Sequence, residues 1–281
     1  MSIHRIVIEP NSKNANYWKD IWAYKGLFYF LAWRDVLVRY KQTVLGILWS
    51  VLRPLITIVV FTVVFNKLGH FPSEGAIPYA ILVCAGMLPW QFFSNAFSES
   101  ANSLTGNASL LTKVYFPRLI IPASSIIVSL IDFLISFCIL IGLFMYYQYM
   151  PGWRIALLPF FLLLATVTAM GSGLLIAALN VKYRDFRYII PFIVQFGLYI
   201  SPVGFSSSVV FGGVSTPTGL KYLYALNPMV AVIDGFRWAI IRGGPPLFLP
   251  GFILSAGMSL FLLFYGLRYF RKTERSYADI I

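Results

Sequence analysis

Residues Ser103–Pro122 read SLTGNASLLTKVYFPRLIIP and lie between two long apolar stretches. The segment opens with small and polar residues, Ser103, Thr105, Gly106, Asn107 and Ser109. Leu110, Leu111, Val114 and Tyr115 then recur at i, i+1, i+4 and i+5, a narrow apolar stripe on a short helix. Lys113 and Arg118 make the stretch basic, and Pro117 and Pro122 end it before the next apolar run. A joint between two membrane helices needs only a few polar residues. A helix here therefore offers a surface along the cytoplasmic face, where another protein can push. An ordinary amphipathic connector shows the same pattern.

Composition agrees with a membrane setting for this stretch. Of 281 residues, 59% are hydrophobic and 11% charged, against about 25% charged in a soluble domain. Mean hydropathy is +0.77. The fold class is therefore an all-α integral membrane protein. Met1–Lys25 is polar and mixed, with no apolar core and no cleavage site, so no secretory signal is expected. Cys84 and Cys138 fall in apolar runs and read as small apolar residues. The histidines are His4 and His70 alone, so no metal site is expected. The net charge of +12 is distributed between apolar spans, which fits charge bias across a membrane and not nucleic-acid binding.

Six transmembrane helices are expected, over Gly46–Asn66, Ile77–Phe97, Leu119–Tyr147, Trp153–Leu179, Tyr188–Phe211 and Leu247–Phe270. Before them, Leu27–Thr43 carries Tyr29, Trp33, Val36, Leu37 and Tyr40 on one face and Asp35, Arg39 and Gln42 on the other. That pattern predicts a helix lying in the interface, rings at headgroup level and basic residues in water. Gly171-Ser172-Gly173 in the fourth span offers a close-packing face. Gln195, Pro202 and Gly204 interrupt the fifth. Residues 212–246 hold two apolar pieces, Leu220–Leu226 and Met229–Ile241, split by Asn227-Pro228 and each too short to cross. Together they fit an outer re-entrant pair, with Asp234 and Arg237 spaced to pair on one helix face. The chain thus divides into 1–45 (N-terminus and interfacial helix), 46–270 (transmembrane domain) and 271–281 (tail). Under this topology 17 of the 22 lysines and arginines fall on the side of the termini, which places both termini in the cytoplasm.

The chemistry is mostly that of a conduit. No G-x-x-x-x-G-K-[ST] occurs, so nucleotide phosphates are not held here in the P-loop manner. Asp132 is the one acid deep in a span, with no basic neighbour on its own helix. It is either a functional intramembrane acid or a hydrogen-bonded packing acid. A membrane sugar transferase would call for a carboxylate or histidine constellation, and Asp35, Glu99 and Asp185 are scattered along the chain. A passive channel would not need a docking helix. Aromatic residues make up 17% of the chain. Trp49, Phe61, Phe65, Phe192, Phe196 and Tyr199, in or near spans one and five, are candidates to line a route for a glycan. Trp90, Phe92 and Phe93 fall in span two, and helix packing or lipid contact accounts for many such rings.

YKQTVLGILWSVLRPL (Tyr40–Leu55) resembles the entry to the first span of the ABC-2 type permeases that export bacterial polysaccharides. NASLLTKVYFPRLIIP resembles the cytoplasmic coupling helix of that family, and ALNPMVAVIDGFRWAI (Ala225–Ile240) its outer Asn-Pro…Arg signature. The resemblance runs from about Trp18 to the end and is strongest to O-antigen exporter permeases, with teichoic acid and capsule permeases near by. It implies a homodimer in the bacterial inner membrane, with two copies of a separate ATPase subunit that hold ATP and Mg. No cofactor is implied in this chain. The cargo implied is a polysaccharide on undecaprenyl diphosphate; a drug or lipid is the alternative. Asn107, Leu110, Leu111, Lys113, Val114, Tyr115 and Arg118 would couple to the ATPase. Asn227, Pro228, Asp234 and Arg237 would form the outer gate. Arg34, Arg39, Lys41 and Arg53 could meet the lipid diphosphate, although charge bias alone also places them at the inner surface.

Overall fold

The computed structural model describes residues 17–41, 46–70, 77–207, 217–274 and 277. The polar leader before Tyr17, the junction 42–45, residues 71–76, the expected end of the fifth span and start of the re-entrant segment (208–216), and residues 275–276 and 278–281 of the tail lie outside them.

The regular elements described are helical. They are α1 (Tyr17–Ala23), α2 (Lys25–Lys41), α3 (Gly46–Phe61, continued as a π-helix over Thr62–Leu68), α4 (Tyr79–Gly106), α5 (Ala108–Lys113) and α6 (Ile120–Tyr146). After a 3-10 turn at Trp153–Leu157 follow α7 (Leu158–Lys182), α8 (Phe186–Ile200), α9 (Thr218–Ala225), α10 (Pro228–Ile240) and α11 (Leu249–Thr273).

Five of these stretches are long and apolar enough to cross a membrane: Leu48–Leu68, Tyr79–Gly106, Ile120–Tyr146, Trp153–Lys182 and Leu249–Thr273. They coincide with expected spans one to four and six. The expected fifth span differs. Its helix, α8, is 15 residues long, about 22 Å, and it gives way to turns over Ser201–Gly204. Pro202 drives the residue before it out of the helical region, and Ser201 is extended at φ −84°, ψ 151°.

The helices bury themselves unequally. The most apolar window of α4 is 83% buried, that of α3 only 11% and that of α11 22%. α4 is therefore the centre, packed on α6, α7 and α10. Rings fill the core: Phe92 meets Phe133, Phe133 and Phe161 meet Phe236, and Phe161 meets Phe252. Trp90, Phe92 and Phe93 all face this interior.

Between apolar helices in lipid, close backbone approach replaces the hydrophobic effect as the source of contact. The predicted small-residue face supplies it. A Cβ on Gly171 would lie 2.4 Å from the backbone nitrogen of Leu263 in α11. One on Gly173 would lie 2.6 Å from Ser100 Oγ in α4. Gly235 in α10 admits the Phe161 ring in the same way.

Candidate functional site

Three groups of residues stand out: the α5 corner, the inward face of α2, and the polar face of α10.

α5 is shorter than the apolar stripe predicts. It ends at Lys113, and Val114 is extended at φ −132°, ψ 135°. The β-branched and aromatic run Val114-Tyr115-Phe116 leads into Pro117, which disfavours helix at the residue before it. Leu111 is buried, Leu110 half-buried, and Lys113 exposed. Val114 and Tyr115 project from extended chain, both exposed. Asn107 sits at the corner between α4 and α5. Its Nδ2 donates to the Ser103 carbonyl at 2.9 Å, and its Oδ1 accepts from the Arg34 guanidinium at 2.8 Å.

Arg118 takes a different position from the rest of this group. Its backbone N–H donates to Glu274 Oε1 at 2.8 Å, and its guanidinium donates to the Glu274 carbonyl and lies 5.7 Å from the Tyr277 ring centre. Tyr17 Oη donates to Glu274 Oε2 at 3.1 Å, under the Arg271 guanidinium. Burial holds the Glu274 carboxyl above the usual carboxylate range, against the opposing pull of Arg118, Tyr17 and Arg271. Sequence reasoning missed this clamp. Its only local sign is a lone acid in the basic run Arg271–Arg275.

α2 reverses part of its expected orientation. Tyr29, Phe30, Trp33, Leu37 and Val38 face outward, as an interfacial helix requires. Leu31 and Ala32 are buried. Arg39, expected in water, turns into the protein. It lies 2.6 Å from Asp132 Oδ2 in α6 and 3.2 Å from Glu99 Oε1 in α4. Tyr40, expected on the outer stripe, donates to Asp132 Oδ1 at 2.6 Å, and Ser50 Oγ donates to the same atom at 3.0 Å. The physical reason is Asp132 itself. A buried carboxylate costs several kcal/mol unless it is paired, and the nearest cation comes from another helix. Burial, helped by Asp132, pushes the Tyr40 phenol up to about 12.

Arg34 is also engaged, 2.7 Å from Asp35 and 2.8 Å from Asn107. Asp35, Glu99 and Asp132, far apart in sequence, thus gather around Arg34 and Arg39, while Asp185 stays exposed ahead of α8. Every acid of this group faces an arginine. Among the described residues no three His, Cys, Asp or Glu are placed to hold a metal. Lys41 and Arg53 remain exposed. Phe30, Trp33, Leu37 and Val38, with Arg34 and Lys41, line an open groove on the outer face of α2.

The candidate route residues divide between the bundle surface and its edge, where Phe61 and Phe65 are half-buried against the core. Trp49, Phe192, Phe196 and Tyr199 are exposed. Phe192 and Phe196 lie 4.1 Å apart between ring centres, and Phe61 and Phe65 5.3 Å. Both Phe61 and Phe65 pack on Gly204, in the turns after α8, which brings the first and fifth expected spans together.

On α10, Asn227 Oδ1 caps the helix by accepting from the Met229 N–H at 3.0 Å, and Pro228 occupies its first turn. The Asn227 Nδ2 donates to Ser201 Oγ at 2.9 Å. Asp234 accepts from Ser207 Oγ. Arg237 is 2% exposed and donates to the carbonyls of Val203 at 2.8 Å and Phe205 at 2.5 Å. Gly86 makes room for it, since a Cβ there would lie 2.9 Å from its Nη2. Asn227, Asp234 and Arg237 thus all address the turns at 201–207, where backbone freed from a helix needs partners.

The O-antigen export system permease protein RfbA of Myxococcus xanthus is 28% identical over 267 residues, 94% of this chain and 98% of that protein. A protein of the same name from Klebsiella pneumoniae is 25% identical over 258 residues, 88% and 92% of the two chains. The ABC-2 type transporter profile matches residues 26–241, from α2 to the end of α10. That match spans most of the described helices, and the chain is a membrane-spanning member of the ABC-2 type transporter family.

Proposed function

We propose that this chain is the membrane permease subunit of an ATP-driven exporter of a lipid-linked polysaccharide of the O-antigen type. The observation that carries this reading is the full-length similarity to O-antigen export permeases, 94% of this chain against 98% of the Myxococcus xanthus protein. The exposed aromatic faces of α3 and α8 support it. Rings such as Trp49, Phe192 and Tyr199 bury little within one chain, and aromatic faces stack on sugar rings without demanding one sequence.

In this reading two copies form the conduit in the bacterial inner membrane, with both termini in the cytoplasm. Two copies of a P-loop ATPase, holding ATP and Mg, dock beneath them. α5, with exposed Lys113 and the extended Val114-Tyr115 beside it, receives their push. The groove on α2, apolar with the exposed Lys41 at its edge, suits a polyprenyl chain with a diphosphate head, while Arg34 is taken up by Asp35 and Asn107. Arg53 adds a further exposed cation. α9 and α10 dip in from the outer side and, with the turns they hold, close the outer end.

The test is purification from native membranes in mild detergent, followed by reconstitution. A stoichiometric P-loop ATPase should accompany the chain, and a polyprenyl diphosphate-linked glycan should stimulate its hydrolysis. A chain that emerges alone from intact membranes, or a complex indifferent to that glycan lipid, overturns the reading.

A further inference from the structure

Charged side chains from three helices meet where α2 crosses α4 and α6. Arg39 joins Asp132 of α6 to Glu99 of α4. Further back on α2, the Arg34 guanidinium donates to Asp35 Oδ1 through Nε and Nη2, at 2.9 and 2.7 Å. The same Nη2 reaches Asn107 Oδ1 at 2.8 Å. Asn107 both ends α4 and precedes α5. Tyr40 and Ser50 meet on Asp132 and bring α3 into the group. One helix is therefore tied at one point to the corner before α5, and at another to the interior of the bundle.

Such ties resist separation. Glu99 stands at the surface with 49% of its side chain exposed, but Asp132 is 6% exposed, and removing Arg39 from that buried pair leaves an uncompensated charge. The planar fork of arginine also fixes direction as well as distance. A group of this kind shifts together or breaks together.

We propose that Arg34 and Arg39 are positioning residues that join the α4–α5 corner and α2 into one mechanical body, through which a push on α5 reaches Asp132 in α6. This rests on the reading of α5 as the docking helix. It assigns Arg34 and Arg39 a role different from lipid binding, and it gives Asp132 a function as the inner anchor of the linkage.

The experiment uses the whole complex in proteoliposomes with a polyprenyl diphosphate-linked glycan, and reads ATP hydrolysed per glycan exported. In Arg39→Gln and Asn107→Ala this ratio should rise about tenfold, as expected for loss of a coupling interaction. A merely structural defect lowers hydrolysis and export together and leaves the ratio alone, which overturns the proposal. The exchange Arg39→Asp with Asp132→Arg should bring the ratio back toward wild type, and an assembled exchange variant without recovery counts against it. A second measurement does not depend on that variant folding. Arg34→Cys and Asn107→Cys, joined by a short bismaleimide in a Cys138→Ser background, should leave export running, because the two positions travel together. Arrest by the cross-link overturns the proposal. A wild-type complex that moves no glycan lipid sinks the broader functional reading; an unchanged ratio in a working complex sinks only this one.

Discussion

Gly171 in α7 and Gly266 in α11 face each other so closely that a Cβ on Gly266 would lie 2.2 Å from the Gly171 carbonyl oxygen. The contact is backbone against backbone, so neither side can yield by rotating a side chain. Gly266→Ala should destabilise the protein by about 1–3 kcal/mol through overpacking. The midpoint of thermal unfolding in detergent measures it. Gly257→Ala, on the same helix with nothing within 4 Å of its Cβ, serves as the control and should be neutral.

Arg237 supplies donors to the carbonyls of Val203 and Phe205. Arg237→Met leaves both without that donor, at about 1–3 kcal/mol each. Arg237→Lys should recover part of the loss, because an ammonium reaches one carbonyl more easily than two fixed ones. Thermal unfolding of the two variants distinguishes these outcomes, and equal midpoints for both would contradict the geometry.

The rings divide by burial. Phe236 is fully buried among Phe133 and Phe161, and Phe236→Ala should cost about 3–5 kcal/mol. Phe192 and Tyr199 are exposed. Phe192→Ala and Tyr199→Ala should leave the unfolding midpoint unchanged and slow glycan export in proteoliposomes. Undiminished export in both would remove these rings from the route.

Glu274 ties stability to pH. Burial raises its folded carboxyl above the ordinary value, so the folded state keeps a proton that the unfolded state has already released. The stability it contributes is complete below the ordinary carboxylate value and is lost as pH rises through the raised folded value. Glu274→Gln should flatten that part of the profile. Unfolding midpoints from about pH 4 to about pH 8 test the sign: an increase in stability attributable to Glu274 across the rise would refute it.

Lys113 and Arg118 are expected to separate. Lys113 is exposed on α5, so Lys113→Glu should impair export and leave the midpoint alone. Arg118 is bound to Glu274, so Arg118→Glu should lower the midpoint, whatever it does to export. The pairing of unfolding and export data for each single variant checks this.

Much of the bundle was legible in the chain. The spans other than the fifth were readable because an apolar run of sufficient length is a local property. The split at Asn227-Pro228 was readable because proline cannot continue a preceding helix and asparagine caps the next. The close-packing role of Gly171 and Gly173 was readable from spacing. The short α8 was half visible, in Pro202 and Gly204. The end of α5 was not, because the stripe through Val114 and Tyr115 matches helix while local sterics before Pro117 favour extended chain.

The sequence by itself determined the membrane setting, the main crossings and the places where helices break. Each follows from hydrophobicity or backbone sterics within one stretch of chain. Tertiary structure alone decided that Arg39 faces Asp132 and not the lipid, that Glu99 joins them, that Arg34 reaches Asn107, and that Arg118 locks to Glu274. Those outcomes turn on which helix faces meet. Tyr17 and Glu274 lie 257 positions apart, and no local pattern states that they touch. The cost of a charge withdrawn from water selects its partner only once the helices have packed and the candidate partners are within reach.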